Sequence, residues 1–243
     1  MNAARFSTRA LLAGLALALV AVPFGLLVLL VKGNWDPLLD VDERARDSLH
    51  AFAVQHDWFV SAMKTLGFLG SGLVYWIVFG GIVVWLLARR LPRLAAFVAV
   101  TIIGGGLLNA AVKALVDRAR PVLHDPVATA PGLSFPSGHA QGATVAAGVL
   151  LLVFLPALHG GARQLAIAAA VAWIALIAFS RVALGVHFVT DVLGGIVLGA
   201  AWLATMTALF SAWRRERGDP PVRPERGLEP EHANRLGPAA GRG

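Results

Sequence analysis

Apolar residues are gathered along the chain into six long windows that contain no acidic, basic or histidine residue. A transmembrane helix needs roughly 17–25 residues to cross the hydrocarbon core, and every window reaches that length. Because backbone groups in lipid must bond within their own segment, these windows should form helices. The sequence therefore predicts six transmembrane helices: Ala10–Val31, Thr65–Ala88, Leu94–Val112, Ala140–Leu158, Gln164–Ser180 and Val192–Trp213.

Composition agrees with this pattern and excludes several other classes of protein. Hydrophobic residues make up 57% of the 243 residues, charged residues make up 14%, and the mean hydropathy is +0.70. Soluble domains carry about 25% charged residues, so an ordinary cytosolic protein, a disordered chain and a secreted mini-protein are excluded. The absence of cysteine excludes disulfides, zinc–thiolate sites and cysteine nucleophiles.

Charged residues between the windows predict the orientation in a cell membrane. Arginines precede the first window (Arg5 and Arg9) and follow the second, the fourth (Arg163) and the sixth, whereas the other loops mix basic with acidic residues. The positive-inside rule then places both termini in the cytoplasm, and the loops after the first, third and fifth windows face the periplasm or cell exterior. The first window is longer than the roughly 7–15-residue core of a signal peptide and is interpreted as an uncleaved anchor. The net charge of +7 is attributed to membrane orientation, and no nucleic-acid partner is predicted.

Two segments outside the windows have predictions of their own. Asp40–Lys64 mixes acidic with apolar residues, which predicts either a short helix at the outer interface or a plain loop. Residues 214–243 are rich in proline, glycine and arginine, which predicts a disordered basic cytoplasmic tail. The functional unit is then one membrane domain over residues 1–213.

Ionisable residues near the helix ends form three clusters, all on the side predicted to face outward. Such residues are costly in a membrane and are functional candidates by default. In chain order the clusters are Lys113–Pro121, Phe135–His139 and Ser180–Asp191. The expected architecture is an all-α integral membrane bundle of six transmembrane helices with an active site at one membrane face.

Spacing within the first two clusters indicates how their side chains meet. Lys113 and Arg120 are seven residues apart, so on a continuous helix they would share a face, and Pro121 would end that helix. Ser137 is a natural N-cap of the fourth window, whose first N–H groups would make an anion site. Gly138 lets an anion approach the backbone closely.

The third cluster supplies a histidine and an acid on one helical face. His187 and Asp191 are four residues apart, so Asp191 can hold one ring nitrogen and leave the other free as a nucleophile or base. Cations and backbone donors around two histidines favour a phosphate group as the guest. The nearby acids are too scattered for a metal-dependent site, so a reaction without metal or cofactor is expected.

The three clusters resemble the signature of the type 2 phosphatidic acid phosphatase family, or lipid phosphate phosphatases. That signature is Lys-x6-Arg-Pro, Pro-Ser-Gly-His and Ser-Arg-x5-His-x3-Asp, and the sequence fits every position from Lys113 to Asp191. The resemblance implies that His187 attacks phosphorus, that Asp191 orients it, and that His139 acts as general acid and then base. The phosphoryl oxygens would be bound by Lys113, Arg120, Ser137, Gly138 and Arg181. The related vanadium haloperoxidases are soluble enzymes, so the six apolar spans argue against membership of that branch.

The expected function is hydrolysis of phosphate from a membrane lipid phosphate or pyrophosphate through a phosphohistidine. Phosphatidic acid, phosphatidylglycerol phosphate and undecaprenyl pyrophosphate are the substrates that the resemblance implies. A lipid phosphotransferase using the same phosphohistidine stays open, and so does a non-enzymatic transporter or lipid-binding protein. Asp117 and Arg118 lie outside the signature and are predicted to form a local ion pair or loop anchor. The sequence does not distinguish the preferred lipid or the oligomeric state.

Overall fold

The structure is a computed structural model that describes residues 22–236, and within this range it is helical and contains no β-strand. Residues 10–21 of the first predicted window, and with them most of the proposed anchor, lie outside the described range. The main helices are α1 (Val22–Lys32), α2 (Asp36–Ala53), α3 (Asp57–Leu69), α4 (Gly72–Ala88), α5 (Pro92–Val116), α6 (Gly138–Phe154), α7 (Gly160–Ala183) and α8 (Val189–Glu216).

The helices fall into four unbroken spans and two bent pairs. Each of α5, α7 and α8 is long and apolar enough to cross a membrane, and so is α6 together with the short 3₁₀ turn that extends it to Ala157. The pair α1–α2 bends by 84° and the pair α3–α4 by 41°. Counting each pair as one span gives six, so the prediction of an all-α membrane bundle is confirmed and its six-span count is compatible with the structure.

The second predicted window is not one straight helix. Thr65–Leu69 belongs to α3, and the chain then bends at Gly70 before α4 begins. Ser71 stands at the N-cap of α4, where its hydroxyl accepts a hydrogen bond from Val74 N at 3.4 Å. A glycine followed by a capping serine is a local break that apolar periodicity does not register.

The segment Asp40–Lys64 is helical, so the alternative of a plain loop is wrong. It forms most of α2 and α3, which pack against α7. Phe59 and Met63 are buried on α3 in a cluster with Leu184 and Val186 from the connection between α7 and α8. This packing places α3 beside the third signature cluster.

The predicted disordered tail is wrong for residues 214–236, which fold back against the bundle. Arg214 is 1% exposed, and its guanidinium donates to Leu228 O at 3.0 Å and lies 2.6 Å from a Glu231 oxygen. Leu228 is fully buried in the main apolar core. Composition could not reveal this because a few well-placed side chains, rather than an apolar run, fix the segment. Residues 237–243 lie outside the described range.

The centre of the bundle is a close contact between α6 and α8. A Cβ on Gly195 would lie 2.5 Å from Ser137 O, and one on Gly199 would lie 3.0 Å from Gln141 O. The glycines therefore let the two backbones approach, as small residues do between membrane helices. The contact joins the start of α8 to the start of α6, where Ser137 N donates to Asp191 O at 2.8 Å.

Candidate active site

His187 lies in the short connection between α7 and α8, at the meeting point of the three clusters. Its ring is 2% exposed. Nδ1 lies 3.4 Å from Asp191 Oδ2, and Nε2 lies 3.1 Å from Arg120 Nη1. Gly185, at φ +67°, makes the turn that brings the ring back over α8. Because the carboxylate holds Nδ1–H, the lone pair on Nε2 faces the cationic side of the site.

Burial controls the protonation of His187. It lowers the pKa of the imidazole to about 4, against the opposing hydrogen bond and negative charge of Asp191. Burial also lowers the pKa of Arg120, again opposed by Asp191. A neutral imidazole is the form that can act as a nucleophile, so the site holds His187 ready at neutral pH.

The cationic side chains of the first cluster are held by carbonyl oxygens of the loop before α6. Lys113 Nζ donates to Leu133 O at 2.5 Å. Arg120 donates to Gly132 O at 2.9 Å and, from the other side, to Val186 O at 2.7 Å. Both therefore converge on the entrance to α6, as the sequence requires of a phosphate site.

The route by which these two cations converge differs from the prediction. We expected a continuous helix from Lys113 to Arg120 that Pro121 would end, but α5 ends at Val116. Asp117 takes the left-handed conformation at φ 56°, which aspartate tolerates better than most residues. Arg120 thus reaches the site from a loop, and a shared helical face is not the cause.

The second cluster opens α6. Ser137 stands at the N-cap position with an extended backbone, but its side chain makes no capping bond, contrary to our expectation. Its hydroxyl oxygen is buried and has no hydrogen-bond partner among residues 22–236. Gly138 and His139 follow in the first turn and line a cavity of about 310 Å³. The cluster thus offers an unused hydroxyl and a histidine at the edge of an open space.

Arg181 completes the group from the end of α7. It is 8% exposed, and its Nε has no hydrogen-bond partner in the described part of the chain. A Cβ on Gly67 would lie only 2.2 Å from Arg181 Nη1, so the glycine on α3 leaves room for the guanidinium. A larger residue there would displace it.

Three cations of the site have no carboxylate of their own. Within residues 22–236, the ion pairs include none formed by Lys113, Arg120 or Arg181. Arg181 is buried and Lys113 and Arg120 are half-buried, and charge taken from water without a counter-charge is costly. An anion such as a phosphate group is the partner that would balance them.

Arg118 and Asp42 are functional candidates that sequence reasoning missed. Arg118 was expected to pair locally, but its guanidinium lies 2.7 Å from Asp191 Oδ1 and 2.8 Å from Asp42 Oδ2. Asp42, on α2, is fully buried and also accepts from Thr190 N at 2.9 Å. No spacing signal could reveal this pairing because 76 residues separate its members.

Ser134 is a third missed residue, three positions before Ser137. Its hydroxyl donates to Asp191 Oδ2, and it lies 3.4 Å from His187 Nδ1. Asp191 Oδ2 also accepts from Phe188 N at 2.9 Å. With Arg118 on its other oxygen, the carboxylate is held on both sides and cannot turn away from the imidazole.

The acidic side chains near His187 already bind Arg118 and Ser134. That the reaction needs no metal stays a prediction. Among residues 22–236, three ligand-type side chains meet closely at Glu229, Glu231 and His232. They lie at the far end of α8, where the Arg214 guanidinium already supplies positive charge.

Comparisons with known proteins agree with this geometry. A family model described as the PAP2 superfamily matches residues 94–215, half of the chain. Phosphatidylglycerophosphatase B of Bacillus subtilis is 43% identical over 96 residues, which cover 38% of this chain and 46% of that protein. The match therefore spans about half the length of the curated relative. A crystal structure of a transmembrane PAP2-type phosphatidylglycerolphosphate phosphatase from Bacillus subtilis has a TM-score of 0.65 and 26% identity, covering 77% of this chain and 94% of that one.

Proposed function

Because the chain belongs to the PAP2 superfamily, we propose that it is a membrane phosphatase that releases phosphate from a lipid phosphate or pyrophosphate. The observation that carries the proposal is a buried, carboxylate-held histidine that contacts Arg120. Lys113 and Arg181 stand in the same signature clusters, and none of the three cations forms an ion pair within residues 22–236. The names of the two bacterial relatives support phosphatidylglycerol phosphate as a substrate. The transporter alternative rested only on charged residues within the membrane, and the proposed phosphatase site gives those residues a role.

The proposed reaction has two steps with balanced bonds. His187 Nε2 attacks phosphorus while the bond to the leaving oxygen breaks, and His139 gives that oxygen a proton. Asp191 stabilises the imidazolium that forms. A water molecule, deprotonated by His139, then attacks phosphorus and breaks the P–N bond. This returns His187 to its neutral form and releases inorganic phosphate.

Charge on the transferring phosphoryl group is stabilised by donors that are already in place. The proposed oxygen ligands are Lys113, Arg120 and Arg181, the Ser137 hydroxyl and the backbone N–H of Gly138. Fixed donors of this kind act without reorganisation, and removal of a single one typically costs about 10²–10³ in kcat. The unused Ser137 hydroxyl and Arg181 Nε support these roles.

The chain is a multi-pass membrane protein, and we further propose that the site faces the periplasm or cell exterior. The supporting observation is that the site lies at the end of α8 opposite to Arg214, Arg215 and Arg217. Basic residues at helix ends favour the cytoplasmic side, so residues 214–236 would lie in the cytoplasm. Substrate headgroups would then reach the site from the outer leaflet.

Purified protein in detergent should release phosphate from dioctanoyl phosphatidylglycerol phosphate with undiminished rate in excess EDTA. The physical reason is that side-chain cations take the charge-stabilising role of a metal. Phosphate assay with and without EDTA and added magnesium checks this. Loss of activity in EDTA with recovery in magnesium would contradict the mechanism, and transfer of phosphate to an added acceptor lipid would identify a phosphotransferase instead.

The pH dependence of kcat/KM should show an acid limb near pH 4. His187 must be neutral to attack, and burial lowers its pKa to about 4. The reactive form therefore predominates above that pH and is lost as pH falls through it. An acid limb centred near the ordinary histidine pKa of about 6.5 would contradict this role of His187.

A further inference from the structure

Two amide side chains inside the membrane-spanning helices are not used by the proposed mechanism. Asn109 on α5 is 9% exposed, and Gln141 on α6 is 2% exposed. Polar groups at this depth are costly and mark functional positions. The simplest role of the two amides is to join α5 to α6 by a hydrogen bond. A further role therefore needs an amide atom that this hydrogen bond does not use.

The hydrogen bonds of the pair determine which atom that is. Gln141 Nε2 donates to Gly105 O at 2.9 Å, so Gln141 Oε1 must face the other way. There it accepts from Asn109 Nδ2 at 2.5 Å. Because a carbonyl oxygen of Gly105 can only accept, this chain of bonds fixes both amide orientations. Asn109 Oδ1 is therefore turned away from Gln141.

Asn109 Oδ1 is an acceptor beside the start of α6. It would lie 3.3 Å from a Cβ placed on Gly138, and the hydrogen bond that the Asn109 side chain makes within residues 22–236 uses Nδ2 and leaves Oδ1 without a donor. Asn109 and Gln141 line the same cavity of about 310 Å³ as Gly138 and His139. The oxygen thus stands in the wall of a space that begins at the proposed proton donor.

The position of this cavity indicates which part of a substrate occupies it. In the proposed reaction His139 protonates the leaving oxygen, so the leaving group lies on its side of the phosphorus. The rest of the wall is mainly glycine and apolar side chains, including Trp76 and Ile102. Such a wall suits the carbon atoms of a lipid leaving group, and Asn109 Oδ1 adds one acceptor that only a donor can satisfy.

We propose that Asn109 is a specificity-determining residue whose Oδ1 accepts a hydrogen bond from a free hydroxyl of the leaving group, next to the ester oxygen. This rests on the proposed function. The glycerol headgroup of phosphatidylglycerol phosphate carries such a hydroxyl. The diacylglycerol of phosphatidic acid has ester groups there, and a prenyl phosphate has no hydroxyl.

The direct test compares two dioctanoyl substrates that differ by one hydroxyl: phosphatidylglycerol phosphate and its analogue with a 1,3-propanediol headgroup. The wild-type protein should favour the hydroxyl-bearing substrate in kcat/KM by roughly 10–100-fold, the factor that corresponds to leaving one partly buried acceptor without a donor. Asn109→Ala should bring the two values within a few-fold of each other. The Asn109→Ala variant should lose kcat/KM mainly for the hydroxyl-bearing substrate. If Asn109 only joined the two helices, the loss would be equal for both substrates.

Thr101→Val is the matched control, because it removes a buried hydroxyl from the same helix at a position that does not line the cavity. It should leave the preference unchanged. If Asn109→Ala does not fold by thermal unfolding in detergent, Asn109→Ser gives the same comparison with a polar residue in place. Equal wild-type values for both substrates, or an equal loss for both in the variant, would overturn this proposal alone. Absence of phosphate release from both substrates would overturn the proposed function.

Discussion

The His187→Ala variant is expected to lose phosphate release by roughly 10³-fold or more, the scale seen when a nucleophile is removed. Within residues 22–236, His187 places one ring nitrogen 3.1 Å from the Arg120 guanidinium and the other against the Asp191 carboxylate. Initial rates of phosphate release from dioctanoyl phosphatidylglycerol phosphate measure the loss.

His124→Ala is the matched control, because it removes an exposed histidine from the loop before α6 that the proposed mechanism does not use. It should keep near wild-type activity. Thermal unfolding in detergent shows whether each variant is folded, and His187→Asn repeats the test with a side chain that fills more of the buried space. A folded variant at position 187 with near-normal turnover would remove His187 from the role of nucleophile.

Asp42→Asn is expected to lower both activity and stability, although Asp42 belongs to no signature motif. Its carboxylate binds Arg118 at 2.8 Å and Thr190 N at 2.9 Å, and it is fully buried. Removing one charge leaves the Arg118 guanidinium short of a partner, and breaking a buried pair in this way costs about 3–5 kcal/mol. Since Arg118 also holds Asp191, we expect kcat to fall about 10–100-fold, as for partners that orient a reactive group.

Asp47→Asn provides the comparison, because Asp47 lies on the same helix with a side chain that is 63% exposed. Exposed pairs contribute about 0–1 kcal/mol, so this variant should resemble the wild type. Denaturation in detergent and kcat on the folded protein separate the two effects. A normal kcat in a destabilised Asp42→Asn protein would make Asp42 purely structural, and equality with Asp47→Asn in both measurements would remove it from the site.

The parts of the site that sequence could predict are those in which short spacing fixes the geometry. His187 and Asp191 are four residues apart and meet because α8 begins between them. The apolar windows predicted the helices because this too is a local effect: backbone groups in lipid must form their hydrogen bonds within their own segment. Arg120 reached its predicted place by a different route, because Asp117 ended α5 before the expected proline.

Contacts between residues far apart in the chain could not be predicted from the sequence. The contact between Asp42 and Arg118 depends on how α2 folds back over α7 and α8, which no local pattern encodes. The prediction of a disordered segment after α8 was wrong for a related reason. Arg214 donates a hydrogen bond to Leu228 O, and composition does not indicate such a contact. The amide pair of Asn109 and Gln141 was hidden within windows judged only by the absence of charge.

The most direct test of the central claim is to locate the phosphoryl group on the enzyme during turnover. The His139→Ala variant should still be phosphorylated by p-nitrophenyl phosphate, whose leaving group needs no proton, but should be slow in the water step. Alkaline quenching and peptide mapping by mass spectrometry should find the phosphoryl group on His187, and the further substitution His187→Ala should abolish it. A phosphoryl group on a different side chain, or nitrophenol release matched by free phosphate with none bound to protein, would contradict the account.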